Sequence, residues 1–316
     1  MKPVFISIVG VLQHPSDWSR LETYLLEVGP TLQDHYTDFE IILIQNTGDP
    51  LYPFTWEKLP DSIRKNTYWI KLSNQVNKNH AILAGLDRAN GDYTVVFGLE
   101  MTGHADLITE LHQKTSEGYD IVYLRSAKPG KGQKNGLFRK VFYFIMDHYS
   151  ELKIDPQALD TRIISRRALN NLLKLRENLR FMKAIYSMVG YPTAYICIQE
   201  VPETNTPGFG ENFRTSLLAI TSFTTFLKTL SLWIFLFSVG IAAVVILNAF
   251  LVKLAHVDIF GTPQEALSGW AFMIVVIAVF FSITFLNFYL LTIFISNIYH
   301  EIKNRPLYIV ESIQRV

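Results

Sequence analysis

Five basic side chains lie close together near the middle of the sequence. A cluster of this kind is attracted to an anionic membrane surface, where each charge contributes about 1 kcal/mol. A solvated loop would have the same composition, so both interpretations stay open. The five are Lys128, Lys131, Lys134, Arg139 and Lys140.

The overall composition narrows the function classes. A single cysteine, Cys197, excludes an intramolecular disulfide and a cysteine-rich metal site. The net charge of +1 does not indicate nucleic acid as a partner. Apolar residues make up 49% of the chain and charged residues 18%, and the apolar excess is concentrated after about residue 215. This mixture predicts a globular part followed by a membrane part.

Short apolar runs alternate with helical spacings along the first part of the chain. Val4–Val11 and Phe39–Ile44 are predicted strands, and Trp18–Leu32 is the predicted helix between them. This order predicts an α/β fold with a mostly parallel sheet that helices cover on both faces, and with ligands at the carboxyl ends of the strands. The later strands are predicted at 67–72, 93–97 and 120–124, and the later helices at 80–89 and 105–116.

Two long uncharged stretches follow the globular part. Residues 229–252 and 270–296 are each long enough, at about 1.5 Å per residue, to cross a hydrocarbon core of about 30 Å. They predict a transmembrane hairpin over 229–298. The alternative is an apolar hairpin in the core of a soluble protein, although buried helices of that kind are seldom apolar on every face.

The charges around the hairpin predict its orientation. Because basic residues flank the hairpin on its outer ends, the positive-inside rule predicts that both termini lie in the cytosol. Residues 214–228 alternate apolar with hydroxyl side chains, which predicts an interfacial amphipathic helix or an extension of the first span. The flanking basic residues are Arg214, Lys228, Lys303 and Arg305.

Five segments, in order along the chain, carry recognisable sequence patterns. Residues 78–92, KNHAILAGLDRANGD, are similar to GK-x-x-A-x-x-AGL-x-x-A-x-GD, and residues 160–169, DTRIISRRAL, are similar to DFRL-x-(D/S)RR. The others are DIVYLR at 120–125, ENLRFMKAIYSMVGY at 177–191 and IYHEIKNRPLYIV at 298–310. Together they resemble the family 2 glycosyltransferases of the polyprenyl-phosphate type, which include dolichol-phosphate mannose synthases and bacterial transferases that use undecaprenyl phosphate. The resemblance covers nearly the whole chain.

The resemblance implies a fold and a function. The implied fold is a GT-A-like domain over 1–213, followed by the membrane hairpin and a cytosolic tail at 299–316. The implied reaction moves a sugar from a nucleotide-sugar donor to a polyprenyl phosphate in cell-envelope glycan synthesis. The implied setting is the inner (plasma) membrane, in contact with membrane lipid, with a homo-oligomer formed through the hairpins.

The donor motifs depart from the family pattern. The family's metal-binding D-x-D aligns with Gly98-Leu99-Glu100, which leaves Glu100 as the single carboxylate. Since Mg²⁺ and Mn²⁺ prefer carboxylate oxygens, we expect weakened metal binding, and no organic cofactor is implied. His80 and His104 could replace the missing ligand, although a surface histidine is the simpler interpretation of each.

The resemblance also assigns residues to the two substrates. The family's D-D-G-S is replaced by Gln45-Asn46-Thr47-Gly48, whose amides can hydrogen-bond a base without adding charge. The implied nucleotide-binding residues are Gln45, Asn46, Lys78 and Glu100. The implied residues for the acceptor phosphate are Arg125, Arg139 and Lys140.

Asp160, together with Arg162, is implied to act near the transferred sugar, as a base or as the residue that orients the acceptor phosphate. The alternative is that Asp160 caps a helix or pairs with Arg162. The altered donor motifs leave two further functions open. One is an inactive or weakened member that binds lipid phosphate or serves as a scaffold subunit of a glycosylation complex. The other is a transferase whose donor lacks a diphosphate.

Overall fold

The structure, a computed structural model, describes residues 2–47, 54, 56–127, 136–150, 152, 154–175, 182–199, 216–217, 219–220, 224–263, 269–302 and 306–316. Within these ranges one sheet has the strand order β7-β5-β6-β4-β1-β2-β3-β8. The strands are β1 (Lys2–Leu12), β2 (Tyr36–Gln45), β3 (Thr67–Leu72), β4 (Tyr93–Val96), β5 (Ile121–Ser126), β6 (Ala158–Ser165), β7 (Thr193–Ile198) and β8 (Val310–Arg315).

Helices of the described ranges alternate with these strands, and two long helices come between β7 and β8 in the sequence. The helices are α1 (Pro15–His35), α2 (Asp61–Arg64), α3 (Lys78–Arg88), α4 (Asp106–Thr115), α5 (Gly136–Tyr149), α6 (Arg166–Leu172), α7 (Met182–Met188), α8 (Phe226–Ala255) and α9 (Trp270–Ile302). Short 3-10 turns lie at Trp56–Lys58 and Leu99–Met101.

The centre of the sheet is parallel. β1 pairs in parallel with β2 and β4, and β2 pairs in parallel with β3. Strands buried on both faces are apolar along their length, and β1 sends Ile6 and Ile8 to one core cluster and Val9 and Val11 to the other. β6 runs antiparallel between β4 and β5. The predicted α/β class, with a mostly parallel sheet and helices on both faces, is confirmed.

Helix α3 packs directly against the central strand. A Cβ added at Gly85 would lie 2.3 Å from Cγ1 of Val9, so any side chain there would push α3 away from β1. The close approach holds the first residue of α3, Lys78, near the carboxyl end of β1. The helix itself was predicted at 80–89 and begins two residues earlier, because Asn77 caps it by accepting a hydrogen bond from the Asn79 backbone N–H.

The end of the chain forms a strand of the sheet. β8 pairs antiparallel with β3, with Ile313 opposite Ile70, and Lys71 Nζ lies 2.7 Å from Glu311 Oε1. The sequence prediction described 299–316 only as a tail, because β8 is largely exposed and has no clear alternation of apolar side chains. The chain therefore returns from α9 to the globular domain.

Helices α8 and α9 are long and apolar enough to cross a membrane. Phe226–Val252 has a mean hydropathy of 2.6 and is not buried, and Val279–Ser296 has a mean hydropathy of 2.0 and is 6% buried. A helix in the core of a soluble protein would be mostly buried, whereas Trp233 and Phe237 of α8 are each 66% exposed. These helices associate the protein with a membrane and overlap the spans predicted at 229–252 and 270–296.

The predicted interfacial segment 214–228 is described in part. Residues 216–217 and 219–220 are helical, and α8 already begins at Phe226. Ala219 is buried against Phe142 and Met146 of α5. The boundary between an interfacial helix and the first span stays a prediction, since the other residues of 214–223 lie outside the described ranges.

Candidate active site

Three charged side chains from distant parts of the chain meet at the carboxyl edge of the sheet. Lys78 Nζ lies 3.2 Å from Oε1 of Glu100 and 3.0 Å from Oδ2 of Asp160. Lys78 is the first residue of α3, Glu100 lies in the 3-10 turn after β4, and Asp160 lies in β6. Because β6 pairs antiparallel with β4, with Arg162 opposite Val96, Asp160 lies just beyond the carboxyl end of β4.

The three charges line a cleft with an apolar floor. The floor is formed by Val9 and Val11 of β1, Val96 of β4 and Ile82 of α3. The cleft is partly open to solvent. The side chains of Lys78 and Asp160 are 34% and 42% exposed, so a bound molecule can reach both. This edge is where ligands of parallel α/β sheets bind.

Electrostatic coupling fixes the charge states of Asp160 and Lys78. Burial raises the pKa of Asp160, but the nearby Lys78, Lys183 and Arg162 outweigh burial and lower that pKa to about 2. Burial lowers the pKa of Lys78, but Asp160 and Glu100 outweigh it and hold that pKa above its usual range. At neutral pH the site therefore contains a lysine ammonium paired with an aspartate carboxylate.

The ionisation of Asp160 makes the stability of the folded protein depend on pH. Its pKa in the folded protein is about 2, below the value of about 3.9 for an unfolded aspartate. Asp160 therefore stabilises the folded state above about pH 4, and this contribution is lost as the pH falls from about 4 to about 2. We expect the difference in melting temperature between the wild type and Asp160→Asn to shrink over that interval. A difference that does not change with pH would contradict the assignment.

Arg162, predicted to be catalytic, makes contacts that brace the backbone. It is 3% exposed, its Nε donates to the Asp160 carbonyl at 3.0 Å, and its Nη2 donates to the Leu159 carbonyl at 2.7 Å. The guanidinium also lies 3.8 Å from the ring centroid of Tyr186. The carboxylate of Asp160 pairs with Lys78, so the predicted alternative of an Asp160–Arg162 pair is replaced by contacts from Arg162 to the backbone around Asp160.

Lys183 is a further cation of the site that was not singled out from the sequence. Its Nζ donates to the Ala158 carbonyl at 2.6 Å, and its charge helps to lower the pKa of Asp160. Lys183 lies in the segment 177–191, which resembles a family motif. That resemblance was the available signal, but it did not distinguish Lys183 from its neighbours.

The two predicted base-binding amides differ in their surroundings. The Asn46 side chain donates to the Val76 carbonyl and accepts from the Val76 N–H, both at 2.8 Å, so it ties β2 to the loop before α3. Gln45 is fully buried, and both of its amide atoms lack a hydrogen-bond partner. The side-chain oxygens of Gln13 and Thr47 are buried without a partner as well. Buried polar groups are nearly always hydrogen-bonded, so these atoms are exceptions to that rule at this edge of the sheet.

The structure describes two of the three predicted acceptor residues, Arg125 and Lys140, with their side chains. Arg125 of β5 has Nε 3.0 Å from Gln157 Oε1 and 3.2 Å from Asp155 Oδ2, and its guanidinium stacks on Tyr195. Lys140 is exposed on α5. The side chain of Arg139 lies outside the described residues, as do Lys128, Lys131 and Lys134.

Comparison with known proteins finds relatives that are glycosyltransferases. No protein-family model matches the chain. It is 29% identical over 239 residues to the SfII prophage-derived bactoprenol glucosyl transferase of Shigella flexneri, covering 74% of this chain and 75% of that protein. It is 27% identical over 237 residues to an uncharacterised glycosyltransferase of Synechocystis sp., covering 74% of this chain and 72% of that protein. These relatives are glycosyltransferases, in agreement with the resemblance of the sequence to the family 2 glycosyltransferases of the polyprenyl-phosphate type.

Among solved structures, glucosyl-3-phosphoglycerate synthase of Mycobacterium tuberculosis is similar to this chain. The two chains are 15% identical, with a TM-score of 0.44, over 69% of this chain and 78% of that chain.

The side chains of this site do not fit the divalent metal that the family resemblance implies. Glu100 and Asp160 both direct an oxygen at the ammonium of Lys78. In the part of the chain that the structure describes, no group of three histidine, cysteine, aspartate or glutamate side chains could hold a metal ion. His104 is exposed, and neither it nor His80 belongs to such a group.

Gly98 determines where the Glu100 carboxylate lies. A Cβ at position 98 would lie 2.2 Å from Oε2 of Glu100, so the glutamate folds back into the space that a side chain at 98 would fill. We expect Gly98→Ala to displace Glu100 from Lys78 and to lower the transfer rate by about ten- to a hundredfold, as small displacements in active sites do. Steady-state kinetics of sugar transfer would measure the loss.

A double-mutant cycle isolates this effect. In a Glu100→Ala background there is no carboxylate to displace, so adding Gly98→Ala should change the rate little further. An equal loss in both backgrounds would show that Gly98→Ala acts elsewhere.

Proposed function

We propose that this protein transfers a sugar from a nucleotide-sugar donor to a polyprenyl phosphate in cell-envelope glycan synthesis. The observation that carries the proposal is the Lys78–Glu100–Asp160 cluster in an open cleft at the carboxyl edge of the sheet. Curated relatives described as bactoprenol glucosyl transferases, which are 28–29% identical to the chain, support the same substrate class. They also weigh against an inactive scaffold.

The reaction needs little acid–base chemistry. An oxygen of the acceptor phosphate attacks the anomeric carbon of the sugar and forms a new C–O bond. The bond from that carbon to the donor diphosphate breaks, and its electron pair leaves with the nucleoside diphosphate. Because the acceptor is already an anion, no proton has to be removed from it. Catalysis then rests on positioning the two substrates and stabilising the leaving diphosphate.

The site residues divide between the two substrates. Gln45 and Asn46, at the end of β2, would contact the base, and Lys78 and Glu100 would lie at the diphosphate. Asp160 would lie near the transferred sugar and position the attacking phosphate. Arg125, Arg139 and Lys140 would bind the acceptor phosphate, and the stack of Arg125 on Tyr195 would hold its guanidinium in a fixed orientation.

The proposed setting is the plasma membrane, with α8 and α9 spanning it and both ends of the chain in the cytosol. The return of the chain from α9 into β8 supports this topology, because β8 pairs with β3 of the globular domain. Two spans between parts of one sheet must begin and end on the same side of the membrane. We also propose that the protein forms a homo-oligomer through these helices.

Reconstitution tests the proposed function. The full-length protein in lipid nanodiscs, supplied with undecaprenyl phosphate and radiolabelled UDP-glucose, UDP-N-acetylglucosamine or GDP-mannose, should form a labelled lipid with one of these donors. Nanodiscs without undecaprenyl phosphate are the control. Binding of undecaprenyl phosphate with no transfer from any of the three donors would favour the lipid-phosphate-binding scaffold instead.

A further inference from the structure

The Lys78 ammonium lies between Glu100, the single carboxylate left where the family binds its metal, and Asp160. Both Nζ–O distances, 3.2 and 3.0 Å, are within hydrogen-bonding range. Gly98 contributes no third carboxylate, and the fold of Glu100 over Gly98 aims the glutamate at the lysine. The carboxylate that would coordinate a metal is therefore already paired with a positive charge supplied by the chain.

The Lys78 ammonium has a third N–H group that can donate a hydrogen bond to a ligand. Lysine has three N–H donors, and two of them are directed at Glu100 and Asp160. The Lys78 side chain is 34% exposed and lines the solvent-open cleft. A phosphate oxygen that entered the cleft could therefore accept the third hydrogen bond, and a bond between charged groups is stronger than one between neutral groups.

The surrounding charges favour an anion over a second cation. Lys78, Lys183 and Arg162 all act on Asp160, so three cations stand near the two carboxylates of Asp160 and Glu100. A divalent ion would add to this positive excess, whereas the diphosphate of a nucleotide would neutralise it. The charge balance of the cleft thus matches a nucleoside diphosphate without a metal ion.

We propose that Lys78, held by Glu100 and Asp160, replaces the divalent metal and contacts the donor diphosphate directly, so that donor binding does not require a metal ion. The inference rests on the proposed function, since it concerns the nucleoside diphosphate of the same reaction. Lys78 then stabilises the charge that develops on the leaving diphosphate.

Calorimetric titration of the full-length protein in detergent with UDP and with GDP tests the inference. Each nucleotide is titrated in EDTA, in MgCl₂ and in MnCl₂. We expect one of them to bind with an affinity that changes by less than about twofold among the three conditions. Lys78→Met should weaken this binding by about ten- to a hundredfold, the loss expected for a charge-assisted hydrogen bond.

Two further variants serve as controls for the loss of charge at Lys78. Lys78→Arg, which retains the charge, should bind the nucleotide in EDTA more tightly than Lys78→Met does. Lys114→Met removes a lysine paired with Glu117 on the exposed side of α4, and it should leave binding unchanged. Thermal unfolding of each variant in the same detergent would show that the protein remains folded.

The outcomes separate the inference from the proposed function. Binding that weakens by about tenfold or more in EDTA, or that survives Lys78→Met, overturns the role of Lys78 and leaves the transferase proposal intact. Failure of both nucleotides to bind in all three conditions overturns the use of a uridine or guanosine diphosphate donor, and the inference with it.

Discussion

Asp160→Asn is expected to lower the rate of sugar transfer by about a hundred- to a thousandfold, the loss seen when one preorganised electrostatic contact is removed from an active site. The substitution keeps the size of the side chain and removes the charge that holds Lys78 at 3.0 Å. Without that charge, Lys78 is no longer fixed between two carboxylates, and the attacking phosphate loses the residue that orients it.

The kinetic signature distinguishes this role from a simple loss of folding. We expect kcat to carry the loss and the affinity for the nucleotide to change little, because Lys78 remains available to the diphosphate. Asp106→Asn, in the exposed first turn of α4, is the matched control and should retain full activity. An Asp160→Asn protein that keeps more than about a third of the wild-type kcat would remove Asp160 from the mechanism.

Arg162→Met is expected to lower the free energy of unfolding by about 3–5 kcal/mol, the loss of two buried hydrogen bonds from a charged donor. The substitution leaves the carbonyls of Leu159 and Asp160 without their buried donor, and each hydrogen bond to a charged group is worth about 1.5–3 kcal/mol. It also removes the stacking of the guanidinium on Tyr186. Denaturant titration of the full-length protein in detergent, followed by tryptophan fluorescence, would measure the change.

A matched arginine shows how far the effect depends on burial. Arg64 pairs with Asp61 at 2.8 Å on the surface, so Arg64→Met should cost less than about 1 kcal/mol. If Arg162→Met unfolded like the wild type but had no transferase activity, Arg162 would be a catalytic residue, as the sequence resemblance implies, rather than a brace for β6.

The membrane hairpin and the βαβ order could be predicted without knowledge of tertiary contacts. The strand Thr67–Leu72 has the bounds predicted for it, because β-branched and aromatic residues, which favour strands, make up most of it. Helix α8 was recognisable because an apolar stretch long enough to cross a membrane has few alternative explanations. Both signals are local in sequence.

The strand β8 was missed for the opposite reason. It lies at the edge of the sheet, most of its side chains are exposed, and what holds it is backbone pairing with β3 far away along the chain. An edge strand does not need an apolar face, so its sequence carries no periodic signal. Its pairing could be read only from the folded chain.

For the site, the sequence by itself indicated the candidate residues, and the tertiary structure decided how they are paired. The family resemblance indicated Lys78, Glu100 and Asp160, but it represented Gly98 only as a missing carboxylate. In the folded protein, residues 22 and 82 positions from Lys78 meet its ammonium, and the absence of a side chain at Gly98 lets Glu100 take part. Ion pairs between separate segments depend on how strands and helices pack, and a linear pattern does not contain that information.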